Sequence, residues 1–451
     1  MKQLKFAAGL LLACLLGGGC ASSYVNEALV PTDQRILSNP LLNRTRSGAT
    51  MADADGWFVG LAISGGGLRS ANFAAACMFE LQKLGLLDRV DYISSVSGGS
   101  LAAALYCAST DEEWKGDAVL AKLTHTYRSD LIVRVLAPWN NLALWLSDWD
   151  RTDILADRFS EIAFMRDWRH LRYGDLNPRR PRLLINSADL GSGECFTFSN
   201  DHFDRLRADL SKYPLGNAVA ASSAVPAVMA PVTLRDFSAP MKRYIHLVDG
   251  GIYDNLGIRV LSQTYRRNRR LAAAAGKPDP YPNGAVFIVL DARVPSGGQY
   301  SNQSDVSLLA AINAGLNVMT TELLNTGSSA ALDDSVARCC NDSTSVATLR
   351  RELDSLHGDG HADLTEQTGK PLRAIYFAFK LLEDCPDLPG KGLSNQVQAI
   401  GTDFDIDPAD ARSLWQAAAM LARHRLKQPL AIVAQDLGAR PASGSPNRAG
   451  P

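Results

Sequence analysis

Residues 57–106 read WFVGLAISGGGLRSANFAAACMFELQKLGLLDRVDYISSVSGGSLAAALY. Trp57 to Ile63 is an unbroken apolar run that ends at a glycine-rich turn, the pattern of a strand buried on both faces. Phe73, Cys77, Met78, Leu81 and Leu84 then recur at helical spacing over 69–84, and Gly85 stands where such a helix is capped. Val90 to Val96 predicts a second short strand, and Gly98 to Tyr106 a second apolar helix. Strand, helix, strand, helix in so short a span predicts an α/β domain built on a parallel sheet with crossover helices.

Beyond this span, further strands are expected at 182–189, 245–248, 285–290 and 372–379, and helices at 307–325 and 407–425. Two stretches interrupt the pattern: a Trp- and Arg-rich helical insertion at about 108–178 and a polar surface excursion at about 328–370. Residues 21–55 are rich in Ser, Thr, Asn, Asp and Pro without periodicity and read as a tether or a surface-wrapping arm. Residues 436–451 read as a disordered tail, which leaves 56–435 as the folded domain.

Composition narrows the function. Hydrophobic residues make up 46% and charged residues 21%, the balance of a globular chain. Forty-six basic residues against forty-seven acidic ones leave a net charge of −1, which gives no electrostatic footprint for nucleic acid. The N-terminus differs from the rest. Lys2 and Lys5 precede the apolar run Phe6 to Leu16, and Gly17-Gly18-Gly19-Cys20 follows. That is the layout of a secretory signal peptide over residues 1–20, and the apolar run is shorter than the about 20 residues a spanning helix needs. The ending resembles a lipobox, which implies a lipidated Cys20. Gly17 in place of the usual leucine keeps ordinary cleavage near Ala21 as the competing reading. With Cys20 lipidated and no aspartate after it, an outer-membrane tether in a bacterial envelope is expected; the alternative is a secreted or periplasmic protein.

Eight cysteines occur, at 14, 20, 77, 107, 195, 339, 340 and 385. Cys77 and Cys107 lie in apolar helical patterns and are expected as buried thiols, while Cys339, Cys340 and Cys385 flank the polar excursion and are candidates for a bridge. Neither the cysteines nor the seven scattered histidines show a metal-ligand spacing, so no metal and no cofactor is expected.

Two turns carry chemistry. Ser95-Val96-Ser97-Gly98-Gly99 joins the second strand to the second helix, as in a nucleophile elbow, with Ser95 in place of the first glycine. Such a turn lifts its central serine out of the sheet and sets it at a helix N-terminus, which favours developing negative charge. A plain Ser/Gly turn explains the same residues. Ser64-Gly65-Gly66-Gly67-Leu68-Arg69 closes the first strand, and its glycines allow backbone N–H groups to converge on one point, as an oxyanion requires. A dinucleotide loop is the rival, but Ser70 breaks G-x-G-x-x-G and no phosphate-binding lysine follows. A serine nucleophile needs a base. His357 and His361 sit in the polar excursion and His424 in an Arg-rich helix, whereas Asp249-Gly250-Gly251 leaves the end of an apolar strand.

Gly65-Gly66-Gly67-Leu68-Arg69, Ser95-Val96-Ser97-Gly98-Gly99 and Asp249-Gly250-Gly251, in that order, resemble the patatin-like phospholipase family. Ala221-Ser222-Ser223-Ala224-Val225-Pro226 matches its A-S-x-A-x-P element. Asn186-Ser187-Ala188-Asp189-Leu190 with Gly193, Glu194 and Phe196 resembles its strand-and-hairpin segment. Asn255 falls where D-G-G-x-x-x-N expects it, with Gly257 in place of the usual proline. The resemblance covers residues 60–257 and fades after about 295. It implies a three-layer α/β sandwich around a mostly parallel central sheet, with helical insertions. It also implies serine acyl hydrolysis, with Ser97 as nucleophile, Asp249 as base and Gly65, Gly66 and Gly67 as oxyanion donors. Gly99, Gly250 and Gly251 would support the turns, and Arg69 would either order its loop or meet a phosphate. The expected substrate is a membrane lipid ester, of the phospholipase A or lysophospholipase type. General esterase or acylglycerol lipase activity is the variant, and a non-catalytic lipid-binding lipoprotein the alternative of another class. Trp139, Trp145 and Trp149 fit either an interfacial flap or a core helix of the insertion.

Overall fold

The computed structural model describes residues 24–29, 55–136, 149–226, 228–294, 361–365, 370–383 and 390–440. Its strands are β1 (Trp57–Ile63), β2 (Tyr92–Val96), β3 (Met165–Arg166), β4 (Arg169–His170), β5 (Arg182–Asp189) and β6 (Cys195–Phe198). They continue with β7 (Val232–Asp236), β8 (Arg243–Asp249), β9 (Gly284–Asp291), β10 (His361–Thr365) and β11 (Pro371–Ala378). The α-helices are α1 (Gly67–Lys83), α2 (Gly99–Ala108), α3 (Gly116–Leu123), α4 (Tyr127–Leu136), α5 (Arg151–Ile162) and α6 (Asn200–Arg205). After them come α7 (Leu215–Ser222), α8 (Gly251–Asp254), α9 (Ile258–Ala274), α10 (Gly390–Ala399), α11 (Pro408–Met420) and α12 (Lys427–Asp436).

The main sheet runs β10-β11-β9-β1-β2-β5-β8-β7, with β6 paired to β5. The segment β11-β9-β1-β2-β5 is parallel throughout, and antiparallel strands extend it at both ends. Period-two alternation sends Val59, Leu61 and Ile63 to one face and Phe58 and Ala62 to the other. The first face packs against Phe73, Leu81, Leu101, Leu105, Val219 and Leu414, from α1, α2, α7 and α11. The second packs against Leu261 and Tyr265 of α9. The result is a mostly parallel sheet with helices on both sides, because its central strands are apolar on both faces.

Four expectations need correction. The insertion is not wholly helical: after α3, α4 and α5 it closes in the hairpin β3–β4, where Asp167 and Trp168 both have positive φ, as a two-residue primed turn demands. Residues 361–365 of the polar excursion are a strand, β10, whose polar and apolar residues alternate along a sheet edge. Residues 436–440 belong to the folded body: Asp436 ends α12, and Arg89 donates to the Gly438 carbonyl at 2.8 Å. The helix expected over 407–425 is α-helical only to Met420, and Leu421–Arg425 is a π-helical turn. Of the arm, Tyr24 bridges Thr233 and Ala28 bridges Ala208, so 24–29 wrap the surface. Cys77 and Cys107 are buried, and Cys195 is partly buried. Residues 1–20 with Cys20, the expected helix 307–325, Trp139, Trp145, Cys339, Cys340, Cys385 and residues 441–451 lie outside the described residues. Among the described residues no helix is long and apolar enough to cross a membrane.

Candidate active site

The sheet register brings the two turns and the aspartate to one edge. Ile63 pairs with Ser95, Val96 with Asn186, and Ser187 with Asp249. Ser97 and Asp249 therefore leave β2 and β8, the two strands that flank β5, at the same height, beside the loop that follows β1. The Ser97 hydroxyl donates to Asp249 Oδ2 at 2.8 Å.

Ser97 has φ +51, a left-handed conformation that costs a non-glycine residue about 1 kcal/mol. Two hydrogen bonds hold it there. The Ser97 N–H donates to Ser222 Oγ at 2.8 Å, and Ser222 Oγ donates to the Asn186 carbonyl at 2.5 Å. Close packing explains the glycines that follow: a Cβ on Gly98 would stand 2.1 Å from the Gly67 carbonyl oxygen, and one on Gly99 2.4 Å from that of Ser64. Ser95 is compatible with this turn. Its side chain is fully buried within β2 and its Oγ lies 3.5 Å from the Leu184 carbonyl oxygen, away from those two approaches.

Asp249 is held from both sides. Its Oδ1 accepts the Gly251 N–H at 2.7 Å, its own N–H donates to the Ala224 carbonyl at 2.9 Å, and the Gly250 N–H donates to that of Ser222 at 3.2 Å. A Cβ on Gly250 would stand 2.2 Å from the Asn186 carbonyl oxygen. Burial raises the Asp249 carboxyl to about 6, against the opposing hydrogen bonds from Gly251 and Ser97. A carboxylate near neutrality accepts a proton more readily than an ordinary one.

The three loop glycines are not equivalent. The Gly65 N–H is committed to Asn255, 3.1 Å from Oδ1 and 3.0 Å from the carbonyl oxygen. The Gly65 N–H is thus already engaged, against its expected place among the oxyanion donors, which leaves Gly66 and Gly67 as the candidates for that role. Arg69 orders the loop rather than waiting for a phosphate: it is buried and donates from Nε to the Ala292 carbonyl at 2.9 Å and from Nη1 to that of Ile400 at 2.5 Å. Gly257, at φ +71, occupies a position that proline cannot adopt.

Of the histidines, His424 is exposed in the π-helical turn, His361 begins the edge strand β10, and His357 lies outside the described residues. Trp149 is half-exposed just before α5. Ser222 was visible in the sequence as part of a motif, but nothing there assigned it to the serine turn. Ile400 and Asp403, which also touch the loop, carry no sequence signal at all. Among the described residues no group of three or more His, Cys, Asp or Glu is placed to hold a metal ion.

Residues 61–262 match the family model described as Patatin-like phospholipase. These residues form a patatin-like phospholipase domain. The matched stretch holds both turns and the Asp249 strand. No curated protein sequence matches the chain. Among solved structures, human GIVD cytosolic phospholipase A2 is similar, with a TM-score of 0.46 at 12% identity over 85% of this chain and 62% of that one. The chain therefore spans under two thirds of that enzyme's length. VipD from Legionella pneumophila aligns with a TM-score of 0.26 at 11% identity, over 86% of this chain and 88% of that one.

Proposed function

We propose that this protein hydrolyses carboxylic ester bonds of membrane lipids, as a phospholipase A or lysophospholipase, through a Ser97–Asp249 dyad. The observation that carries the reading is the 2.8 Å hydrogen bond from Ser97 Oγ to Asp249 Oδ2, at a turn where Ser97 is held at φ +51. Ser97 Oγ attacks the ester carbonyl while Asp249 Oδ2 takes its proton. The carbonyl oxygen becomes an oxyanion against the N–H groups of Gly66 and Gly67, where preorganised donors stabilise charge as it forms. Collapse expels the alcohol, which takes the proton from Asp249 and leaves an acyl-serine. Asp249 then deprotonates a water that attacks the acyl carbon, and the proton returns to Ser97 as the fatty acid leaves. The export pattern of residues 1–20 supports an envelope location with Cys20 as the lipid anchor.

The test is ester turnover by Ser97→Ala and Asp249→Asn, followed by a panel of phospholipids, lysophospholipids and acylglycerols given to the wild type. Both variants are expected to lose at least about a thousandfold in kcat. Undiminished turnover in either removes the dyad, and release of fatty acid from acylglycerols alone replaces phospholipase by lipase.

A further inference from the structure

The resemblance stops near residue 295, yet a segment from the C-terminal third packs directly on the oxyanion loop. The Leu68 N–H donates to the Asp403 carbonyl at 2.7 Å, and Arg69 donates to the Ile400 carbonyl at 2.5 Å. A Cβ on Gly67 would stand 2.3 Å from Asp403 O and 2.7 Å from Asp403 N. The Asp403 backbone thus lies against Gly67, and it fixes the turn from which the Gly66 and Gly67 N–H groups project. Residues 401–407 have no regular secondary structure of their own, and side-chain contacts add to the backbone bond from Leu68 in holding them in place.

Those side chains belong to the insertion. The Arg128 guanidinium, at the start of α4, pairs with the Asp403 carboxylate and lies 3.5 Å from Asp405 Oδ2. Asp405 caps the same helix: Oδ1 accepts the Arg128 N–H at 2.8 Å, and Oδ2 accepts the Ser129 hydroxyl at 2.5 Å. Between them Phe404 packs edge-on against Phe159 of α5, with ring centroids 6.0 Å apart. Asn72 of α1 adds a parallel tie, donating to the carbonyls of Leu68 and Leu123 at 2.9 Å each. The insertion, the C-terminal segment and the oxyanion loop form one continuous hydrogen-bonded chain.

We propose that Arg128 is a positioning residue for the oxyanion donors, acting through Asp403, so that the insertion and the C-terminal third complete the catalytic site. The proposal rests on the ester-hydrolase reading. Oxyanion donors act through placement, and a shift of about 1 Å costs up to about a hundredfold in rate. Loss of Arg128 releases the Asp403 loop and so lowers kcat, while KM stays near its wild-type value.

The experiment uses the full chain and a short-chain p-nitrophenyl ester, with active serines counted by a fluorophosphonate probe. Arg128→Ala and Asp403→Asn are each expected to lower kcat per labelled serine about tenfold or more, with KM within about threefold. Arg128→Lys keeps the charge without the fork and is expected to recover part of the loss. Arg134→Ala, which breaks the pairs of the same helix to Asp157 and Glu161, is expected to leave kcat unchanged. The proposal is overturned if Arg128→Ala and Asp403→Asn both stay within twofold of wild type per labelled serine. It is equally overturned if Arg134→Ala falls as far as Arg128→Ala. If Arg128→Ala does not fold, Asp403→Asn decides by the same criterion. A wild type that neither turns over the ester nor takes the probe brings down the hydrolase reading, and this proposal with it.

Discussion

Asp249 is suited to accept a proton because the fold holds it where its charged form is costly. Its carboxyl is raised from an ordinary 3.8 to about 6, with burial as the main cause. A raised acid contributes stability that is fully present below its unfolded value and lost as pH rises through its folded one. At pH 8 the ionised group therefore costs on the order of 1–3 kcal/mol. An asparagine in its place would be neutral and could keep bonds to both Gly251 and Ser97. Asp249→Asn is expected to be inactive yet to unfold at a higher temperature than wild type at pH 8, with the gap closing toward pH 5. Thermal unfolding at the two pH values checks this, and a wild type at least as stable at pH 8 refutes it. The same shift sets a kinetic expectation. The base must be ionised, so kcat/KM of the wild type should rise with a midpoint near pH 6, and a flat profile from pH 5 to 8 would exclude Asp249 as the base.

At the scale of elements, the placement of Asp249 depends on a strand running against its neighbours. β8 is antiparallel to β5 and overlaps it only from Leu247 to Asp249, opposite Asp189 to Ser187. The apolar run before Asp249 predicted a strand and a carboxylate at its end, but strand direction is a tertiary property with no period in the sequence. A second element, α7, reaches the site through its last residue. Ser222 accepts the Ser97 N–H and donates to the Asn186 carbonyl, joining the serine turn to β5. Ser222→Ala leaves a buried amide without its acceptor, a loss of about 1–3 kcal/mol, and loosens the turn. Urea unfolding should show that loss, and kcat should fall by about tenfold or more. Wild-type kcat in the variant would show that the turn holds itself.

Across the fold, the apolar packing under α9 lies on the sheet face opposite the larger core cluster. The α9 side is an aromatic cluster in which Phe58 is fully buried, with the rings of Tyr92, Tyr265, Tyr281 and Phe287 centred 5.2–5.5 Å away. Phe58→Ala should cost about 3–5 kcal/mol in urea unfolding while turnover per labelled serine stays near wild type. A large drop in turnover with stability unchanged would contradict that separation. The central strands, the two glycine turns and the order serine then aspartate were legible in the chain alone, because local periodicity and turn chemistry are written in consecutive residues. Ser97, Asp249 and the loop glycines were legible there as one set, since their motifs keep a fixed order. Which loop N–H groups remain available was not, because Asn255 lies far along the chain from the Gly65 it occupies. The same is true of the Asp403 segment and of Arg128. Contacts between residues hundreds of positions apart leave no local pattern, and three-dimensional packing alone assigns them to the site.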